Sequence, residues 1–407
     1  MGKMLLEAGH ERAKAGEAAD VCIINTCSVT DTADHKDRQA IHRVHRENPN
    51  ATLIVTGCYA QLRPGEVAEI EGVDYVLGAN DKMEALALVR SLSSQTPIPQ
   101  EGKGLVSDLG RMSRRETTPY HAAYSKDDRT RCFLKIQDGC DYFCTYCTIP
   151  NARGRSRNAS IADTIVQVEQ ALQDGAREIV LTGVNIGDFG RSTDETFADL
   201  VRAIDAVEGE FRVRISSCEP NLLSDEIIDF VAGSRHFAPH FHIPLQSGSD
   251  TVLKIMHRRY DTALFRERIE HIKRVMPQAF IGVDCMVGVR GETEACFDEY
   301  VQFLESLPVS QLHVFTYSER ANTRMVEDET LCVIPQKERN RRSQVLHRLS
   351  EQKLAAHYAE HRGETALVLW EGKREKDGTM SGWSENYIRV SRPYDKAKIN
   401  TFETVVI

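Results

Sequence analysis

Between residues 126 and 334 the chain repeats one unit: a short apolar run, a polar or glycine-rich loop, then an amphipathic stretch. The apolar runs are CFLKIQ (132–137), EIVLTGV (178–184), FRVRISS (211–217), HFHIPLQ (240–246), FIGVDCMVGV (280–289) and QLHVFTYS (311–318). Stretches between them, such as IADTIVQVEQALQDG and ETEACFDEYVQFLESL, carry apolar residues at helical spacing. Strands alternating with helices predict a parallel sheet wound by right-handed crossovers. Six units are too few to close an eight-stranded barrel, so an open, partial (β/α)6 barrel is expected over 126–361. In that architecture the chemistry belongs to the loops after the strands. Those loops hold the unusual residues here: three cysteines after the first run, then TGVNIGD, SSCEP, LQSGSD and YSER.

The flanking regions read differently. Over 1–92 the runs DVCIINTC (20–27), TLIVTGC (52–58) and DYVLGAN (74–80) alternate with helix-like stretches, which predicts a doubly wound parallel-sheet α/β domain. Ligands of such sheets sit at the carboxyl ends of strands, where Cys27 and Cys58 fall. Residues 93–125 lose periodicity and read as a linker, with SSQTPIPQEGKG at its start. Over 362–407, TALVLWEG, NYIRVSRPY and TFETVVI alternate apolar and polar residues, so a small antiparallel β-barrel of a kind that often binds nucleic acid is expected. The stretch from Pro335 to Gly363 carries seven Lys/Arg against three Glu. It reads either as a solvated helix or as a basic arm facing RNA.

Composition narrows the function classes. A formal net charge of -9 over 407 residues excludes a basic glove over the whole surface, so a nucleic-acid site must be a local patch. No apolar run approaches the roughly 18 residues of a membrane span, and the first residues have no apolar core of a signal peptide. Eleven cysteines, unevenly spaced, argue for a reducing compartment and a cytoplasmic protein. Cys22, Cys132, Cys218, Cys285, Cys296 and Cys332 stand singly in apolar or helical contexts and are expected as small buried hydrophobes.

Cys140, Cys144 and Cys147 form C-x3-C-x2-C within IQDGCDYFCTYCTIP. A structural zinc site takes four protein ligands, and this stretch offers three and no histidine. Three thiolates on an iron–sulfur cubane leave one iron open, the arrangement of a catalytic metal site rather than a closed structural one. A zinc site with a distant fourth ligand, in a non-catalytic RNA-binding protein, is the alternative.

The motif, with Tyr146 before its last cysteine, is similar to the signature of the radical S-adenosylmethionine (SAM) superfamily. ADVCIINTCSVTDTAD, VTGCYAQL, DGCDYFCTYCTIPNARGRSRN, LTGVNIGDFG, HIPLQSGSD and HVFTYSER, in that order, resemble the methylthiotransferase family, and CTIPNARGRSRN is most similar to the branch acting on N6-threonylcarbamoyladenosine in tRNA. The resemblance implies an N-terminal domain with a second [4Fe-4S] cluster, a central radical SAM barrel and a C-terminal TRAM domain that holds tRNA. It implies hydrogen abstraction from C2 of the modified adenine next to the anticodon, transfer of sulfur, and a methyl group from a further SAM. The partners implied are the tRNA anticodon stem-loop and an electron donor protein. Methylthiolation of a ribosomal-protein aspartate is the alternative within the family.

Carried over residue by residue, the resemblance implies Cys140, Cys144 and Cys147 as ligands of the radical SAM cluster. Tyr146, Gly183, Asn185, Gln246 and Ser247 then lie where SAM passes, and Arg153, Arg155, Arg157 and Arg320 face RNA. The second cluster takes three cysteines in the family, of which Cys27 and Cys58 are present. The family's opening strand and its cysteine have no counterpart here, since the chain starts at about MLLEAGHERA, so this domain is expected to be incomplete and its cluster poorly held. Cys22 lies inside an apolar run, away from a strand-end loop.

Overall fold

The computed structural model describes residues 1–14, 16–79, 81–93, 104–105, 120–125 and 130–407. They form two compact units. The first holds Met1–Pro119, Tyr146–Arg155 and Ser318–Glu327; the second holds Tyr120–Thr145, Ser156–Tyr317 and Asp328–Ile407. Most of the linker expected at 93–125 lies outside the described residues.

The first unit is built on parallel strands β1 (Val21–Thr26), β2 (Thr52–Gly57), β3 (Tyr75–Leu77) and β4 (Gly104–Leu105), in that order. Alternate residues of β2 explain its two buried faces. Leu53 and Val55 pack with Ile41, Tyr59 and Val76, while Ile54 packs with Tyr75, Leu77 and Val89. The helix Asp31–Glu47 starts at Thr30, whose hydroxyl accepts from Ala33 N at 3.1 Å, a cap worth about 1 kcal/mol.

The second unit begins with β5 (Ala123–Tyr124), antiparallel to β6 (Arg131–Lys135). A two-stranded ribbon of β7 (Gln137–Asp138) and β8 (Arg157–Asn158) follows. Then come β9 (Glu178–Thr182), β10 (Arg212–Ile215), β11 (His240–Gln246), β12 (Phe280–Val287) and β13 (Gln311–Thr316). Parallel pairing runs β6-β9-β10 and β11-β12-β13, and parallel bridges Val213–Phe237 and Ser217–His242 join the two runs. The six expected parallel strands are thus one open sheet. Ser160, Thr196, Ser224, Asp261 and Thr293 each cap the helix that follows a strand-end loop, accepting from the amide three residues on. Apolar residues of strands and helices merge into one core running from Leu134 to Leu346.

The chain ends in an antiparallel sheet of β14 (Thr365–Arg374), β15 (Thr379–Trp383), β16 (Arg389–Pro393) and β17 (Phe402–Val406), ordered β16-β15-β14-β17. Strand β15 was not anticipated; its TMSGW pattern holds a glycine and little β-branching. So small a sheet has a thin core of Val368, Trp370 and Met380, and it is anchored elsewhere. Glu178 of β9, fully buried, takes Arg212 at 2.6 Å and Arg214 at 2.9 Å, with Arg131 at 3.7 Å. The arginines continue outward: Arg212 donates to Leu367 O and Trp383 O, and Arg214 to Ser384 O and Glu385 O. Burial pushes the Glu178 carboxyl upward, but Arg214, Arg212 and Arg131 outweigh it and hold it below the usual carboxylate range.

The basic stretch forms the long helix Gln336–Glu360. Much of its charge is spent internally. Arg339 and Arg342 are buried, Arg339 on Tyr317 O and Ile334 O, Arg342 on Glu292 at 2.8 Å. Arg341 pairs with Glu338 and Glu294. The stretch is thus a helix that several of its own arginines dock, while Lys337, Arg348 and Arg362 stay exposed. Of the single cysteines, Cys132, Cys218, Cys285 and Cys296 are buried as expected, whereas Cys22 is half-buried and Cys332 exposed. Among the described residues no helix is long and apolar enough to cross a membrane.

Candidate metal centre

The cysteine loop leaves the sheet at the end of β6 and returns through β8, so the β7–β8 ribbon closes its base. Each of the three sulfurs accepts from a nitrogen donor: Cys140 from Tyr142 N at 3.4 Å, Cys144 from Arg258 Nη1 at 3.1 Å, Cys147 from Ile149 N at 3.5 Å. Donors aimed at sulfur favour the thiolate that a metal requires. Burial pushes the Cys144 thiol up, and the Arg258 charge opposes that shift. Arg258 also grips the buried carboxylate of Glu219 and donates to Tyr260 Oη. Burial raises the Glu219 pKa, again opposed by Arg258. Cys140 and Cys144 belong to the second unit, while Tyr146 (half-buried) and Cys147 belong to the first. By its donor set alone, a loop of three cysteines with no fourth fits a [4Fe-4S] cluster with one open iron.

The rim of the second unit is held by a residue the sequence reading passed over. Gln137, fully buried, donates to Gly139 O at 2.8 Å and to Ser156 Oγ at 2.9 Å. Its Oε1 accepts from Val184 N and Asn185 N, at 2.9 and 3.0 Å. One side chain thus ties the cysteine loop to the TGVN loop. Gly183 is required there, because a Cβ would stand 2.9 Å from Gln137 Oε1. The Asn185 side chain is 2% exposed, and neither its Oδ1 nor its Nδ2 has a partner. Gln246 adopts φ +67, and its buried Oε1 is also unpartnered. Ser247, fully buried, accepts from Ser249 N at 3.3 Å. Orphaned buried amides call for an explanation, and a polar cofactor such as SAM is one that fits the donor and acceptor pair of Asn185.

In the first unit, Cys27 and Cys58 each follow a residue of the last registered pair of β1 and β2, Thr26 and Gly57. The two are therefore neighbours at the carboxyl edge. Gly57 has φ +108, and a Cβ there would lie 2.3 Å from Thr26 O, so glycine alone brings the strands' ends together. Cys27 is exposed and its amide donates to Asp37 at 2.8 Å; Cys58 is buried and its sulfur accepts from Arg153 Nε at 3.4 Å. Cys22 sits inside β1 opposite Leu53, away from that edge. Two thiolates do not by themselves fit a cubane, and no chemistry is routed through this pair. A polar cavity of about 60 Å³ lies in the same unit, lined by residues including Ser28, Arg63, Asn151 and Asn322.

The four arginines assigned to RNA fare differently. Arg155 is exposed. Arg153 is half-buried on Cys58, and Arg157 is half-buried and pairs with Asp138 at 3.3 Å. Arg320 is corrected: it is 4% exposed, inside the first unit, with Nη2 on Ser28 Oγ at 2.6 Å and on Asp34 at 2.7 Å, and Nη1 on Asp31. Asp34 is itself buried, so this guanidinium neutralises an interior carboxylate beside the Cys27 loop and does not present itself to phosphate. Arg258, Glu219 and Gln137 were missed. Their sequence signals were polarity next to the cysteine loop in KIQDGC, a strand-end helix in MHRRY, and, for Glu219, its place in the strand-end loop SSCEP.

Residues 134–304 match the family model of the radical SAM superfamily, and residues 1–78 match one described as uncharacterized protein family UPF0004. The threonylcarbamoyladenosine tRNA methylthiotransferase MtaB of Bacillus subtilis (strain 168) is 38% identical over 95% of this chain and 85% of its own. The enzyme of the same name from Aquifex aeolicus (strain VF5) is 33% identical over 95% of this chain and 91% of its own. Among solved structures, the radical S-adenosylmethionine methyltransferase TsrM from Kitasatospora setae superposes with TM-score 0.58 at 14% identity, covering 77% of this chain and 67% of that one, a likeness of fold.

Proposed function

The chain belongs to the radical SAM methylthiotransferase family, and from that premise we propose that it methylthiolates C2 of N6-threonylcarbamoyladenosine next to the anticodon of tRNA. It is a radical SAM enzyme that uses a [4Fe-4S] cluster and SAM. The observation that carries the substrate is the likeness to the threonylcarbamoyladenosine enzymes along nearly the whole chain.

Cys140, Cys144 and Cys147 are the ligands we assign to the cluster. A cluster held there would supply the one electron that cleaves SAM to methionine and the 5'-deoxyadenosyl radical. This chain's own residues do the rest by position. Arg258 sets the charge at Cys144 and, with Glu219, fixes that side of the loop. Gln137 locks the cysteine loop against the loop carrying Gly183 and Asn185, whose idle amide suits the polar groups of SAM. Gln246 and Ser247 complete that rim, Tyr146 immediately precedes the last cysteine, and Arg155 is the phosphate contact the exposure pattern favours. The sheet β14–β17 is assigned as the TRAM domain, within boundaries of 1–92, 126–361 and 362–407. The reaction needs an electron donor protein and places the enzyme with tRNA in the cytoplasm.

We assign Cys27 and Cys58, neighbours at one sheet edge, to a second cluster, and two thiolates hold a cubane poorly. Iron counting after anaerobic reconstitution gives about four irons per chain on this reading, and about eight sinks that part of it. Mass spectrometry of tRNA nucleosides from a deficient strain expressing this chain tests the substrate. Methylthio-threonylcarbamoyladenosine is expected; the methylthio group on an isopentenyladenosine or on a ribosomal-protein aspartate overturns the assignment.

A further inference from the structure

The long helix ends in a second group of metal-capable side chains, in the second unit, that the proposed reaction does not use. His357 and His361 stand one turn apart with Glu360 between, and one ligand atom from each of the three lies within 4.8 Å of the others. Both imidazoles are buried, 4% and 3% exposed, while Glu360 is exposed.

Hydrogen bonding decides which ring nitrogens are available. His361 Nδ1 lies 2.7 Å from Glu364 Oε2. A carboxylate only accepts, so Nδ1 carries the hydrogen and Nε2 is left with a lone pair. That Nε2 is buried and has no partner. His357 Nε2 lies 3.1 Å from Asn386 O, a carbonyl that likewise only accepts, so its Nδ1 keeps the lone pair, with Ser310 Oγ at 3.3 Å as a long partner. Ligating histidines are typically oriented in this way, the far nitrogen donating to a carboxylate or a backbone carbonyl. The rings are 4.7 Å apart at their centroids. The lone pair on His361 Nε2 is therefore buried and unmet, and a cation bound there would satisfy it.

We propose that His357, Glu360 and His361 form a zinc site, two imidazole nitrogens and one carboxylate oxygen with water as the fourth ligand. Two imidazole nitrogens and a carboxylate oxygen are within the ligand set zinc takes. Through His357 and Asn386 the ion would brace the helix end against the terminal antiparallel sheet.

The test uses the full chain with its cluster in place and Zn²⁺ alone as the probe. Eleven cysteines could also take zinc, so the readout is X-ray absorption at the zinc edge, which separates sulfur from nitrogen and oxygen ligands. Expected is about one zinc per chain with nitrogen and oxygen at roughly 2.0–2.2 Å and an imidazole outer shell. Glu360→Gln changes an exposed residue and leaves folding intact; it weakens zinc binding by about tenfold or more. His361→Gln abolishes it, and zinc raises the melting temperature of the parent but of neither variant. A sulfur shell, no stoichiometric zinc, or nitrogen-bound zinc unchanged in Glu360→Gln and His361→Gln each overturns the proposal.

Discussion

Arg258 donates from Nη1 to the sulfur of Cys144 across 3.1 Å, while its other nitrogen holds the buried carboxylate of Glu219. The residues are 114 apart in sequence, and the arginine is a charge set beside one thiolate of the assigned cluster. Arg258→Met strands Glu219, a loss of about 3–5 kcal/mol for a broken buried pair, read by urea unfolding of the cluster-free chain. Adding Glu219→Gln recovers part of it. In the cluster-loaded variant the midpoint potential becomes more negative, because a donor to sulfur favours the reduced cluster. An unchanged potential in a redox titration followed by electron paramagnetic resonance refutes the electrostatic part.

Arg320 in the first unit neutralises the buried Asp34. Arg320→Ala is expected to cost about 3–5 kcal/mol, whereas Asp34→Asn with Arg320→Gln costs less than the sum of the single changes. Arg155→Ala, exposed, leaves stability within about 0.5 kcal/mol and weakens tRNA binding with a reduced salt slope. If Arg320→Ala keeps full stability and loses tRNA alone, the sequence-based assignment of Arg320 to RNA is restored.

Asn185 buries an amide with no partner on either atom. Asn185→Leu therefore keeps or raises stability, by up to about 1–3 kcal/mol, since an unsatisfied group is removed. Its affinity for SAM falls by about tenfold, equivalent to roughly one hydrogen bond. Calorimetry of SAM binding checks this; parent-like affinity removes Asn185 from the cofactor site.

The His240 ring packs against both Phe280 and Tyr387, near Arg214 of β10 and His242 of its own strand. Burial pushes its pKa well below the ordinary 6.5, and Arg214 and His242 add to that. The unfolded chain therefore takes up a proton below pH 6.5 that the folded chain refuses. The stabilising contribution is complete above that pH and falls with acidification by about 1.4 kcal/mol per pH unit. His240→Phe flattens the fall by about 1 kcal/mol between pH 6.5 and 5.5, measured by urea midpoints; parallel curves for parent and variant count against it.

Much of this architecture was legible because its signals are local. HFHIPLQ and FIGVDCMVGV became β11 and β12 within a residue or two, since apolar runs bounded by polar loops report burial on both sheet faces. Strand β15 escaped because TMSGW lacks that pattern and owes its place to pairing with β14 and β16. The arginines misled for a related reason. A positive charge looks the same in sequence whether it meets phosphate or, as with Arg320, Arg339 and Arg342, a partner in the interior.

The sequence by itself determined the six central parallel strands, the helices between them and the C-x3-C-x2-C loop, because hydrophobic period and ligand spacing lie within a few neighbouring residues. Only the tertiary structure decided that Gln137 joins Asn185, that Arg258 faces Cys144 and that Asp34 receives Arg320. Those partners are separated by 48, 114 and 286 positions, and which side chains meet over such lengths is set by sheet order and burial, which no local pattern encodes.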